Sequence, residues 1–209
     1  AESTPRRVPG FADLHRMAMV LLAEHAPEAA NILVVGAGGG LELKAFAEAQ
    51  QGWRFAGVDP SLEMLDLARR ILGPLQQRVE LHRGYIDTAP TGPYDGATCL
   101  LTLHFLERDE RLRVLREIRQ RLKLGAPLIV AHHSCPEGGE IHPWLSRSIA
   151  FANEANVDFA AATVSASAMA SRLPILSVDQ DEPILREAGL SDVARFYAGF
   201  TFHRCVAAA

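Results

Sequence analysis

Gly36, Gly38 and Gly40 stand at alternate positions directly behind the apolar run Ile32-Leu33-Val34-Val35, and Asp59 follows nineteen residues after Gly40. Glycines at this spacing let a backbone turn sharply and come within contact distance of a ligand, which a Cβ would block. Residues 41–50 read as a helix whose first N–H groups face the same spot. Asp59 ends the next apolar strand, where a carboxylate can hold the two hydroxyls of a ribose. Together these residues predict a site for a nucleoside-bearing cofactor.

Histidines form a second group. His104, His132 and His133 fall beyond the ends of two later apolar runs, where a parallel sheet presents its ligand edge. Imidazole titrates near neutrality and suits a base, so His104 and His132 are the candidate catalytic residues. Neighbours at a strand end point in opposite directions, so only one of His132 and His133 is expected to face a pocket. With Cys135 and His142 these histidines also invite a zinc reading, but their spacing matches no tight template, and no metal is expected. No base is fixed beside Cys135 by sequence, which favours a free structural thiol there.

The elements that must position these groups follow from periodicity. Residues 12–25 carry Leu14, Met17, Ala18, Leu21 and Leu22 at helical spacing. Apolar strands are expected at 32–35, ending at 59, at 79–82, 94–101 and 125–131, alternating with helices at 41–50, from 62 and at 106–122. Ser61 is placed to cap the second of these helices. The arginines of 108–121 flank a stripe of Leu112, Leu115, Ile118 and Leu122 and are offset by acids, a solvated helix face rather than a nucleic-acid surface. Residues 136–143 are turn-rich, and 144–172 are helical in character, rich in Ala and Ser. A short helix ends at 188, and two last strands are expected at 193–197 and 200–207. The pattern is α/β, doubly wound.

The dinucleotide fingerprint fails, because the sixth position counted from Gly36 is Leu41 rather than glycine. Gly36-x-Gly38-x-Gly40, Asp59-Pro60-Ser61 and Tyr94-Asp95 instead resemble the motifs of class I S-adenosylmethionine (SAM) methyltransferases. That resemblance implies a Rossmann-like, seven-stranded, mostly parallel sheet with an antiparallel last strand and a helical cap inserted after strand five. It implies one SAM-binding domain over 1–209, with an N-terminal helix in 1–30 and the cap in 136–180. It places Gly36, Ala37, Gly38 and Gly40 beside the methionine portion, Asp59 and Pro60 at the ribose, and Met64 against the adenine. Tyr85, Ile86 and Asp87 would hold the adenine edge, although relatives often have Asp where Tyr85 stands. Val34 occupies the place of the usual acid near the methionine ammonium, which leaves carbonyls near Leu100 to make that contact.

Shorter segments, 8–11, 102–106, 188–190 and 196–202, resemble the narrower group of carboxy-SAM synthases, homodimers that use SAM and prephenate. Here 164–170 has no basic residue, Phe11 replaces a tyrosine, and His132-His133 replace an acid–lysine pair. The resemblance therefore implies a SAM-dependent methyltransferase acting on a small molecule, working as a homodimer. A carboxy-SAM synthase-like transferase and a catalytically inactive SAM-binding protein are the alternatives. Residues 144–172 would serve as substrate cap, dimer surface or both, with Trp144 and Phe151 candidates to line an acceptor pocket.

Composition agrees with this class. The chain has 209 residues, 48% hydrophobic and 22% charged, as in ordinary globular domains. A formal charge of -4 gives no general attraction for phosphate backbones, so nucleic acid is not the expected partner. No apolar run is long enough to span a bilayer, and the polar residues 1–7 do not read as a secretory signal. Three widely spaced cysteines predict free thiols and a cytoplasmic setting.

Overall fold

A computed structural model describes residues 4–136, 138–153 and 156–209. Its centre is a seven-stranded sheet in the order β3-β2-β1-β4-β5-β7-β6. The strands are β1 (Asn31–Val35), β2 (Arg54–Asp59), β3 (Val79–Arg83), β4 (Gly96–Leu100), β5 (Pro127–His133), β6 (Ser191–Gly199) and β7 (Phe202–Ala208). The first five pair in parallel, and β7 runs antiparallel to both β5 and β6. This is the expected fold class, a Rossmann-like, seven-stranded, mostly parallel sheet with an antiparallel last strand.

Strand alternation divides the apolar residues between two layers. Ile32 and Val34 join Leu14, Leu22, Phe46 and Trp53 in one core, while Leu33 and Val35 join Leu115, Ile118 and Leu185 in the other. The helices are α1 (Thr4–Arg7), α2 (Phe11–Ala23), α3 (Leu41–Ala49), α4 (Leu62–Leu72), α5 (Arg108–Arg121), α6 (Ile141–Phe151), α7 (Phe159–Ala170) and α8 (Val178–Glu187). Helices α2 and α3 supply the first core, and α5 and α8 the second. Ser61 caps α4 by accepting from the Met64 N–H at 3.3 Å. Among the described residues, no helix is long and apolar enough to cross a membrane.

Three elements differ from the sequence reading. The helical stretch expected over 144–172 is two helices, α6 and α7, because the Asp158 side chain accepts from the Ala161 N–H at 3.0 Å and starts a new one. Helix α8 begins well before Ile184, at a capping box in which Ser177 and Gln180 satisfy each other's backbone N–H groups. Strand β5 runs on through both histidines, since β7 pairs His132 with His203 and His133 with Phe202.

Candidate functional site

The sheet order reverses between β1 and β4, and a cavity of about 590 Å³ opens beyond the C-terminal ends of those strands and β2. The glycine loop forms its floor. Gly36 and Ala37 N–H groups donate to the Val58 carbonyl at 2.9 and 3.0 Å, which ties the loop to β2. Gly36 has φ +76°, and a Cβ there would lie 2.0 Å from Thr102 Oγ1. Gly40 has φ +81° and abuts backbone: a Cβ would lie 2.8 Å from the Ala68 Cα of α4. Glycine is thus required both for the turn and for helix packing.

Asp59 organises the adjoining wall. Its Oδ2 accepts from the Gly38 N–H and its Oδ1 from the Ser61 N–H, each at 2.9 Å. Each oxygen keeps a second lone pair. Pro60, Met64, Tyr85, Ile86 and Leu100 also line the cavity, as do Gly36, Ala37, Gly38 and Gly40. Asp87, expected at the adenine edge, is exposed and does not line it; the short 3-10 helix Ile86–Thr88 buries Ile86 and turns Asp87 outward. Phe11 and His15 of α2 line another side of the cavity. Burial, reinforced by the Arg204 charge, lowers the His15 pKa to about 4.

An acid that the sequence did not single out also lines this cavity. Glu42, in the first turn of α3, is 7% exposed and faces the cavity. Burial pushes its pKa up to about 7, with Thr98 close enough to oppose the shift. Yet neither Glu42 Oε1 nor Thr98 Oγ1 has a well-formed hydrogen-bond partner among the described residues. A readable signal existed: Glu42 precedes Phe46 by one helical turn, so the acid shares the core-facing stripe.

Beyond Leu101 and Phe105, which line both spaces, lies a second cavity of about 710 Å³. Leu101 carries φ +57°, a strained backbone for a residue with a Cβ, held where the two cavities meet. His104 and His133 line the second cavity, and their rings meet edge to face at 4.9 Å. Burial, followed by the His133, His132 and Arg111 charges, holds the His104 pKa well below its usual value. Burial and the His132 charge bring His133 to about 3. Both rings are therefore neutral near pH 7. His133 Nδ1 is 2.7 Å from Thr201 Oγ1, which donates to Ser148 Oγ at 3.1 Å, whereas His104 Nδ1 has no partner among the described residues.

His132 corrects the catalytic expectation placed on it. Its Nε2 lies 3.0 Å from Asp181 Oδ2, on the α5–α8 side of the sheet, and it lines neither cavity. Asp181 is also bonded to Arg111, whose remaining N–H groups donate to the Leu106 and Pro174 carbonyls. Strand alternation makes His132 part of this buried brace and turns His133 to the cavity. Of the cap aromatics, neither Trp144 nor Phe151 lines either cavity; Trp144 stacks under Arg147 at 4.4 Å and Phe151 against Phe200 at 5.7 Å. Among the described residues, no group of three or more His, Cys, Asp or Glu could hold a metal ion.

Residues 32–125 match a protein-family model described as a methyltransferase domain. An inferred O-methyltransferase from Nostoc punctiforme PCC 73102 superposes with TM-score 0.72 and 21% identity, covering 96% of this chain and 57% of that one. An O-methyltransferase family 2 protein from Planctomyces limnophilus DSM 3776, in complex with apigenin, gives TM-score 0.65 and 17% identity, covering 94% and 61%. Human N-acetylserotonin methyltransferase, in complex with SAM, gives 0.64 and 14%, covering 93% and 51%. The chain thus spans between half and two thirds of the length of each of these structures, and the likeness is one of fold. No curated protein matches the sequence.

Proposed function

We propose that the protein is a SAM-dependent methyltransferase acting on a small molecule, with the first cavity for SAM and the second for the acceptor. The observation that supports this reading is that a glycine-floored cavity and a second, histidine-lined one share Leu101 and Phe105 in their walls. The residues fit the cofactor. The glycine loop offers a cradle that side chains would fill, and Asp59 retains acceptor capacity for ribose hydroxyls. Glu42 supplies a buried carboxyl on the cavity wall, with its Oε1 unpaired among the described residues, for the methionine ammonium in place of the acid missing at Val34. Met64, Pro60, Tyr85 and Ile86 would pack about the nucleoside, with Leu100 nearer the methionine end.

Bound SAM supplies a methyl group activated on a sulfonium. The chain's task is alignment and exclusion of water. Phe11 and His15 of α2 close one side of the SAM cavity, and Leu101 and Phe105 form the boundary with the acceptor. Neutral His104 accepts a hydrogen bond from an acceptor hydroxyl and receives its proton as the oxygen–carbon bond forms. Residues 164–170, the stretch aligned with the basic position of the carboxy-SAM synthases, hold no Lys or Arg, which favours plain methyl transfer. Exposed Phe159 and Val164 of α7 support a homodimer, and three free buried thiols support a cytoplasmic setting.

Titration calorimetry with SAM, S-adenosylhomocysteine and NADH tests the reading. The first two should bind and the third should not; no heat with either sulfur compound would overturn it.

A further inference from the structure

The two cavities differ in the charge of their walls. Among the described residues that line it, the acceptor cavity has no Asp or Glu, but Arg7 and Arg172 do line it. Both arginines are exposed, and neither has a side-chain hydrogen bond, ion pair or ring contact among the described residues. Arg147, in the same helical insert, contrasts with them: it is stacked on Trp144 and does not line the cavity. The rest of the wall is mostly apolar, including Val8, Leu145, Ile149, Met169, Leu173 and Phe202, with Ser148 and Ser165 as its hydroxyls.

We propose that this cavity receives a molecule with an apolar body and one anionic head, a carboxylate or a phosphate monoester, held by Arg7 and Arg172. The class of acceptor rests on the methyltransferase reading; the binding claim rests on the cavity itself. Guanidinium groups pair with either head in a fork geometry. Their exposure lets the anion stay partly hydrated, which avoids the cost of carrying a charge into the interior. The apolar body then fills the space leading to His104 and His133, whose neutral rings offer no charge to a second ion. A cationic ligand would meet two unpaired guanidiniums and no carboxylate among the described lining residues. Because the whole chain carries a formal charge of -4, attraction for an anion must come from such a local pair.

The test uses 2-naphthoate, 2-naphthyl phosphate, 2-naphthamide and 2-naphthol, titrated into the protein with S-adenosylhomocysteine present. At least one anionic probe should bind about tenfold more tightly than its neutral counterparts, and the tighter of the two identifies the head. The double variant Arg7→Gln/Arg172→Gln should lose that preference while still binding S-adenosylhomocysteine, which shows that it is folded. Equal binding of charged and neutral probes, a preference that survives in the double variant, or binding of none of the four overturns the proposal. If S-adenosylhomocysteine itself fails to bind the unaltered protein, it is the methyltransferase reading that falls.

Discussion

The two cavities that meet at Leu101 and Phe105 are built by opposite means. The first is floored by backbone: a glycine loop pinned to Val58 and Asp59, with one buried acid, Glu42, facing in. The second is a space between side chains drawn from α1, the end of β4, β5, α6, α7 and β7, with two buried bases and two exposed arginines. A backbone site should be intolerant of volume and a side-chain site intolerant of altered chemistry. Gly40→Ala is the sharpest test of the first half. Its Cβ would strike the Ala68 backbone from a left-handed conformation, so we expect about 2–4 kcal/mol of lost stability and weaker S-adenosylhomocysteine binding. Denaturant unfolding and calorimetry check both; an unchanged midpoint would mean that helix α4 can move aside.

The acceptor half should break differently. His104→Gln keeps a polar group of similar reach but removes a proton acceptor. Turnover should fall roughly 100-fold, within the range for general-base loss, while cofactor affinity stays the same. A matching loss of cofactor affinity would show that the two cavities are not separable at Leu101 and Phe105.

That contrast also explains what could be read from the sequence. Gly36, Gly38, Gly40, Asp59 and Ser61 lie within one βαβ unit, where spacing alone dictates geometry, and of the seven remaining cofactor candidates all but Asp87 line the first cavity. The strand positions were legible for the same reason, since each apolar run announces itself locally, whereas the antiparallel last strand followed only from the family resemblance. The acceptor cavity was not, because Arg7, His133, Arg172 and Phe202 converge only through tertiary packing. The choice between His132 and His133 needed the register of β5 against β7 and the partner Asp181, which lies 49 residues on. Glu42 was not legible from the glycine spacing, because its place on the cavity wall is set by the packing of α3, one turn before buried Phe46.

A subtler test concerns protons. Burial raises the Glu42 pKa to about 7 in the folded protein from 4.5, so its contribution to stability is full below about pH 4.5 and is lost as pH rises to about 7. His133, lowered to about 3 from 6.5, works in the reverse sense: its contribution is full above about pH 6.5 and is lost as pH falls towards 3. Glu42→Gln should therefore flatten the loss between pH 4.5 and 7 in unliganded protein, as followed by chemical unfolding, and leave the acid limb in place. An ammonium beside Glu42 favours the carboxylate, so S-adenosylhomocysteine should bind more tightly as pH rises through 7. The variant should lose that slope together with about 1–2 kcal/mol of affinity at pH 8. A slope that persists in Glu42→Gln would assign the ammonium contact to another group.

The smallest effect is expected at Asp87, and its smallness is informative. Its neighbours Tyr85 and Ile86 line the first cavity, but the turn of Ile86–Thr88 spends its buried position on Ile86 and sends the carboxylate into solvent. There it lies near enough to Arg113 to act on it electrostatically, an exposed interaction of the kind that contributes little. Asp87→Asn should leave S-adenosylhomocysteine affinity within about twofold, a change below 0.5 kcal/mol. A loss of tenfold or more, measured by the same calorimetry, would mean that the loop after β3 rearranges when the nucleoside arrives. The backbone-built cavity would then owe part of its selectivity to a side chain, and the division between the two halves would no longer hold.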